Sequence, residues 1–183
     1  MDDDGKPAGR IDGARVEVLL SAERLRARVE EIGREITRDY AGKPVVLVGV
    51  LKGALVFLAD LMRAIDLPVT VDFVGLSSYV GTQTSGRVEI TSDLTRPVEG
   101  KHVILVEDIV DTGLTMQWLL ARLGERRPAS VAVCALLAKP SRARVAVPVR
   151  YRGFEIADEF VVGYGLDHEG RMRNLPYVGV VKE

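Results

Sequence analysis

The sequence predicts an α/β protein: a mainly parallel, twisted sheet flanked by helices, with a small lobe added late in the chain. Three observations predict it. Residues 45–51, 103–106 and 131–137 are nearly unbroken apolar runs, the pattern of strands covered on both faces. Between them lie stretches whose apolar residues recur every three or four positions, the helical period. From Pro148 onward that period stops, and short apolar runs alternate with Gly turns.

The first residues, MDDDGKPAGR, are polar and carry Gly and Pro, so 1–13 is expected to be a disordered tail. Residues 15–20, RVEVLL, read as a short strand outside the main sheet. Ser21 is an N-cap; Leu25, Val29, Ile32, Ile36 and Tyr40 line one helix face, and Ala41-Gly42-Lys43-Pro44 ends that helix. The strand 45–51 delivers Lys52-Gly53 to a helix with Leu55, Phe57, Leu58, Leu61 and Ile65. A partly alternating strand at 68–78 leads into SSYVGTQTSGR, a small, polar, Gly-rich connection, and 87–92 returns as a strand. After the central run 103–106, Met116, Leu119, Leu120 and Leu123 line the next helix; Trp118 lies off that stripe and reads as a packing or interface residue. Gly124 and Pro128 close it, and the strand 131–137 ends in Ala138-Lys139-Pro140. The 183 residues make one domain: a core at 21–147, and a small lobe from 15–20 with about 148–183.

Composition limits the function. Lysine and arginine total 25 and aspartate and glutamate 26, a net charge of -1, so no global electrostatic grip on nucleic acid is expected. Arg126-Arg127 and Arg142 with Arg144 are the local basic clusters, and solvated loops account for them. The one cysteine, Cys134, sits in the apolar run VAVCALL as a small buried hydrophobe; a cytoplasmic setting with no membrane segment is expected. His102 and His168 are read as structural.

The chemistry concentrates at VILVEDIVDTGLT, residues 103–115. A buried strand gives way to three carboxylates in five residues, Glu107, Asp108 and Asp111, then a polar Thr112-Gly113 turn and a helix. In open α/β sheets, ligands bind beyond the carboxyl ends of strands, and a helix N-terminus offers free N–H groups to a phosphate. Carboxylates would repel a phosphate; vicinal ones suit the diol of a ribose or a Mg²⁺ ion. An acidic, solvated turn before a helix is the plainer alternative. Lys52-Gly53 likewise makes a place for an anion or an ordinary βα turn. By composition alone, Lys139 is a solvated lysine at a strand end.

The EDIVDTGLT segment resembles the phosphoribosyl-pyrophosphate (PRPP) motif of type I phosphoribosyltransferases, in the form of the hypoxanthine-guanine branch, with Asp111 as the discriminating position. The resemblance extends in order through LKG, the Ser-Ser-Tyr loop, Lys-Pro, and DEFVVGYGLD with an arginine downstream. It implies the type I phosphoribosyltransferase fold with a hood lobe over the base. It implies that PRPP and hypoxanthine or guanine give IMP or GMP and pyrophosphate, with Mg²⁺ as cofactor. It implies that Glu107, Asp108, Ile109, Val110, Asp111, Thr112, Gly113, Leu114 and Thr115 hold ribose and 5′-phosphate, Asp111 also being the general base at N7. Leu114 stands where many relatives have a polar or basic residue. Lys52, Gly53, Ser78, Tyr79 and Arg173 would meet pyrophosphate, the Ser-Tyr loop closing over the site, with a cis Leu51–Lys52 peptide. Lys139 would donate to the 6-oxo group, Phe160 would stack on the purine, Val161 would offer backbone groups, and Asp167 would lie near the base and the second metal. Glu107, Asp108 and Asp167 are the implied metal ligands. A homodimer or homotetramer is implied. A xanthine-preferring enzyme, and a PRPP-sensing regulator that binds nucleic acid, are the alternatives.

Overall fold

The computed structural model describes residues 10–11, 14–78 and 88–182. Strand β1 (Arg10–Ile11) and β2 (Ala14–Leu20) precede helix α1 (Ala22–Asp39). Then come β3 (Val45–Leu51), α2 (Leu55–Ala64), β4 (Val69–Ser78), β5 (Val88–Ser92), β6 (His102–Val110), α3 (Leu114–Gly124) and β7 (Ser130–Ala138). A 3₁₀ turn (Pro140–Arg142) leads to β8 (Val149–Glu155), β9 (Val161–Val162) and β10 (Val178–Lys182).

The main sheet has the order β5-β4-β3-β6-β7-β8. Among the described residues of this sheet, only the β4–β5 pair is antiparallel. From β3 the chain goes to β4 on one side, then returns to β6 on the other, so the strand order switches between β3 and β6. Alternation divides the core between two faces. Leu47, Ile104, Val106 and Leu136 pack with Leu25, Ile32, Ile36, Phe57, Leu58 and Leu61 of α1 and α2. Val46, Val48, Val50, Val103, Leu105 and Val133 pack with Met116, Leu119 and Leu123 of α3, with Trp118 partly buried beside them. Each such buried side chain contributes roughly 1.5–3 kcal/mol. The strands are nearly continuous hydrophobic text because both faces are covered.

Local chemistry sets the ends of α1. Ser21 Oγ accepts from Arg24 N at 3.4 Å, and Gly42 follows at φ 73°. Gly33 lets α1 approach α2, since a Cβ there would stand 2.5 Å from the Ala64 carbonyl oxygen. His102 is structural: Nδ1 is 2.7 Å from Ser130 Oγ, and its ring meets Tyr40 edge-on. Asp72 is buried but satisfied by the backbone N–H groups of Phe73, Thr95 and Arg96. Cys134 is buried and free, its thiol pushed far up by desolvation.

Three expectations about boundaries change. Arg10–Ile11, expected in a disordered tail, forms β1, paired with Ala14 and Arg15. The strand in β8, expected in the small lobe, is parallel to β7 and closes one edge of the main sheet. The Arg-rich text of an exposed edge strand resembles the text of a lobe, since one face of it meets water. The small antiparallel sheet is therefore β1-β2-β10-β9, drawing its late strands from 161–162 and 178–182. Finally, β6 runs four residues past its apolar run, to Val110, so Glu107 and Asp108 are strand residues.

Candidate active site

The extension of β6 has a clear cause. Its ladder to β3 ends at Gly49↔Val106, but its ladder to β7 continues through Glu107↔Ala135 and Ile109↔Leu137 to Val110↔Ala138. One neighbour thus carries the strand into a region the other has left. The crevice opens there, at the β3/β6 switch point, the general ligand position of open α/β sheets.

The two acids leave the strand on opposite faces, yet their carboxyl groups stay close enough for Glu107 to share a hydrogen bond with Asp108. Glu107 turns toward α3 and lines a cavity of about 220 Å³ with Val50, Leu76, Ile109, Val110, Asp111, Thr112, Gly113, Thr115 and Met116. Burial pushes the Glu107 carboxyl well above its usual range, and the neighbouring Asp108 charge adds to the shift. Asp108 turns to the other face, where Oδ1 accepts from Ile109 N at 2.8 Å. It lies directly under Gly53: a Cβ on Gly53 would overlap Asp108 Oδ2. The Leu51–Lys52 peptide is cis, as expected, and Leu55 N donates to Lys52 O at 3.2 Å.

Gly113 is the N-cap of α3 at φ 82°, a conformation glycine adopts without cost. A Cβ there would also press on the Val145 carbonyl, 2.8 Å away. The segment 143–147 backs this turn: Arg144 N and Val145 N both donate to Thr112 O, at 3.0 and 3.3 Å. Thr112 Oγ1 accepts from Leu114 N at 3.4 Å, and Leu114 itself is exposed. The turn is therefore held from behind, with the first N–H groups of α3 beyond it.

Lys139 N donates to Val110 O at 3.0 Å, which sets the lysine beside the end of the acidic strand. Lys139 and Asp111 line a second cavity of about 210 Å³ with Val110, Ala138, Pro140 and Arg152. Two residues absent from the sequence-based set enter here. Arg142 Nε donates to Asp111 Oδ1 at 3.1 Å and its Nη1 is 3.6 Å from Asp158 Oδ2; Lys139 Nζ is 3.4 Å from Asp158 Oδ1. Neither was legible as a site residue, since Arg142 reads as a solvated loop arginine and Asp158 lies 47 positions from Asp111.

The loop 163–175 approaches from the small sheet. Gly165 sits at φ 103° against Gly53, where any Cβ would overlap the Gly53 carbonyl oxygen. Arg173 is folded into that loop: Nη1 donates to Gly165 O at 2.6 Å and Nη2 is 2.6 Å from Asp167 Oδ1. Asp167 Oδ2 accepts from Gly170 N at 2.6 Å. Tyr164 anchors the loop to α2 through a hydrogen bond from its hydroxyl to Asp60 Oδ2 at 2.5 Å. Phe160 is 54% exposed, edge-on to His168, so a large aromatic face stands in solvent just before β9. Val161, by contrast, is buried in β9, paired with Val180.

The structure thus brings Lys52-Gly53, residues 107–115, Lys139 and the Asp167–Arg173 loop to one end of the sheet. Ser78 ends β4, and Tyr79 with the rest of that loop lies outside the described residues.

The donor set is oxygen only. Glu107 and Asp108 supply two vicinal carboxylates, one of them buried and pushed toward its neutral form. No cluster of three or more metal-binding side chains occurs among the described residues. The oxygen-only pair Glu107 and Asp108 fits Mg²⁺, which keeps waters and substrate oxygens and takes one or two carboxylates. Both oxygens of Asp167 already accept hydrogen bonds or an ion pair, each leaving a further lone pair.

Residues 16–169 match the phosphoribosyl transferase domain. The chain is 49% identical to the hypoxanthine phosphoribosyltransferase of Haemophilus influenzae over 170 residues, which is 91% of this chain and 95% of that one. It is 46% identical to the hypoxanthine-guanine phosphoribosyltransferase of Mycobacterium avium, over 96% of this chain and 90% of the other. The crystal structure of a hypoxanthine phosphoribosyltransferase from Staphylococcus aureus superposes with a TM-score of 0.87 at 44% identity, covering 91% of each chain. With the β3/β6 crevice, the acidic strand end and the backed glycine turn in the expected order, the chain belongs to the phosphoribosyl transferase family, among its hypoxanthine and hypoxanthine-guanine members.

Proposed function

We propose that this chain transfers the 5-phosphoribosyl group of PRPP to N9 of hypoxanthine or guanine, giving IMP or GMP and pyrophosphate in purine salvage. The observation that carries the proposal is the acidic end of β6 running into the Gly113 turn, with Lys139 fixed beside it by the Val110 carbonyl.

The residues divide the work by chemistry. The first N–H groups of α3, with the hydroxyls of Thr112 and Thr115, suit the 5′-phosphate. Glu107 and Asp108 suit the 2′- and 3′-hydroxyls, which donate to carboxylates. Glu107 meets them from a buried position, so a cationic sugar or a bound cation would restore its charge. The bond from carbon 1 to pyrophosphate breaks while the bond from carbon 1 to N9 forms. Lys52, through its backbone N–H, and Arg173, through its fork, suit the leaving oxygens. Ser78 and Tyr79 belong to the same proposal. When bound, Mg²⁺ supplies charge neutralisation to the pyrophosphate; Glu107 and Asp108 would hold one ion, and Asp167 would serve a second. Asp111 takes the purine proton as general base at N7. Lys139 donates to the 6-oxo group and has nothing to offer a 6-amino group, which leaves a donor unpaired with adenine. Phe160 offers its exposed ring as a stacking face, and Val161 its backbone.

Arg173 gives one N–H of Nη1 to Gly165 O and one of Nη2 to Asp167, and its remaining N–H groups suit phosphate oxygens. Assembly as a homodimer or homotetramer in the cytoplasm completes the proposal, and sedimentation velocity tests the assembly. No helix among the described residues is long and apolar enough to cross a membrane.

The test is a spectrophotometric assay with PRPP and Mg²⁺ against hypoxanthine, guanine, xanthine and adenine in parallel. Turnover of hypoxanthine and guanine, lost without Mg²⁺ and absent with adenine, is expected. Preference for xanthine would keep the chemistry and revise the base contacts. No turnover of any base would overturn the assignment.

A further inference from the structure

We propose that Arg142 is a positioning residue for base recognition, keeping the acceptor Asp111 and the donor Lys139 apart and aimed at one edge of the purine. The inference rests on the functional proposal above.

An oxopurine presents its 6-oxo oxygen and N7 side by side on a single edge. A site that reads both needs a donor and a proton acceptor next to one another. Lys139 and Asp111 are that pair, and they line one cavity. Left alone, an ammonium and a carboxylate so placed attract each other, and a direct bridge would occupy both groups and fill the space meant for the base.

The structure interposes two further charges. Asp111 accepts from Arg142 Nε at 3.1 Å, and Arg142 faces Asp158 at 3.6 Å. Asp158 in turn takes Lys139 Nζ at 3.4 Å. The order acid, base, acid, base gives each recognition group a partner other than its counterpart. The backbone fixes the geometry: Lys139 N is bonded to Val110 O, and the 3₁₀ turn closes through Arg142 N to Lys139 O at 3.0 Å. Arg142 is therefore returned beside Asp111 only three residues after Lys139. Its planar fork can serve Asp111 and Asp158 at once, which a lysine's point charge does less well.

The side chain is about half exposed, so its removal should leave the fold intact. In Arg142→Met, the kcat/KM for hypoxanthine and guanine should fall about fivefold, the scale of a partly exposed ion pair, with the PRPP KM within about twofold of wild type. Arg142→Lys should recover part of the loss. In the double variant with Asp158→Asn, the loss should be less than the sum of the two singles, because one chain of charges is broken twice. Thermal unfolding of each variant checks the fold. If Arg142→Met is unstable, Arg142→Lys and Asp158→Asn decide the case, since both keep the size and polarity of the native side chain. Base kinetics unchanged in these variants, or an equal loss in base and PRPP parameters, would overturn the inference while leaving the functional proposal standing. Wild-type protein inert toward every base would instead overturn the functional proposal, and this inference with it.

Discussion

Gly53→Ala isolates the contact between the Lys52-Gly53 turn and the acidic strand. The Gly53 backbone is not in the left-handed region, so alanine suits it and the substitution acts only through its added methyl. That methyl would overlap Asp108 Oδ2 and stand 2.5 Å from Asp108 Cγ. Comfortable contact between carbons needs about 3.5–4.0 Å, a shortfall of about 1 Å or more. The turn cannot recede, because the Gly53 carbonyl is already pressed by Gly165. Asp108 must therefore swing away and give up its bond from Ile109 N–H. A hydrogen bond to a charged group is worth roughly 1.5–3 kcal/mol, and water would recover part of it at this half-buried position. The fold should lose about 1 kcal/mol, or about 2–4 °C in thermal midpoint for a chain of this size. The catalytic loss should be larger, because the displaced carboxylate is one of the two assigned to the ribose. A loss of about 10- to 100-fold in kcat/KM for PRPP is expected, from one misplaced charged hydrogen bond, with the hypoxanthine KM within about threefold. Wild-type PRPP kinetics in a variant that melts within 1 °C of wild type, on the scale of about 2–4 °C per kcal/mol, would refute the reasoning.

Asp111→Asn should lower kcat by about 10²–10⁴-fold with little change in PRPP binding, the range of a lost general base; unchanged kcat would remove Asp111 from that role. Lys139→Ala should weaken hypoxanthine and guanine binding by about tenfold or more and narrow the gap to adenine. If hypoxanthine affinity survives, the 6-oxo contact lies elsewhere. Glu107 is expected to impose a pH slope on the stability of metal-free protein. Its folded carboxyl titrates well above the unfolded value of 4.5, so the folded state retains a proton that the unfolded state has lost. Stability should therefore fall as pH rises above that value. Glu107→Gln should flatten the slope and raise the thermal midpoint at neutral pH; an identical slope in melts with a chelator present would place the cause in another group.

The parts of this fold that could be read from sequence are those governed by local rules. The ends of α1 follow from Ser21 and Gly42, and β3 from a run that is apolar throughout because both of its faces are covered. What escaped is set by partners distant in sequence. Glu107 and Asp108 look like loop residues, since acids are poor strand formers. They are in a strand because β7 remains alongside with Ala135 and Leu137. Val149–Glu155 looks like lobe text and is an edge of the main sheet, because only its pairing with β7 distinguishes the two. Within the site, the order of motifs pointed to the loop 107–115 and to Lys52 and Lys139. It could not show that Arg142 and Asp158 lie between two recognition groups, or that Gly53 and Gly165 form one stacked contact over Asp108.

That stack explains why segments so far apart in sequence can act as one site. At the β3/β6 switch point, β3 stops pairing with β6 after Gly49, while β6 stays paired to β7 for four more residues. The unpaired flank of β6 would be an exposed edge, with two carboxylates on it, unless something covered it. The turn after β3 lies over it at Gly53, and the loop from the small sheet lies over that turn at Gly165. Each layer approaches closer than any side chain would allow, so the two glycines are demanded by distance. In consequence, the groups assigned to ribose and pyrophosphate share backbone contacts as well as a ligand. A substitution that lifts Gly165 from Gly53 should therefore disturb the Asp108 carboxylate two layers below. Gly165→Ala, strained at φ 103° and overlapping the Gly53 carbonyl, should weaken PRPP use without touching PRPP itself. Loss of stability alone, with the PRPP KM of the surviving folded protein unchanged, would show that the layers are merely adjacent and uncoupled.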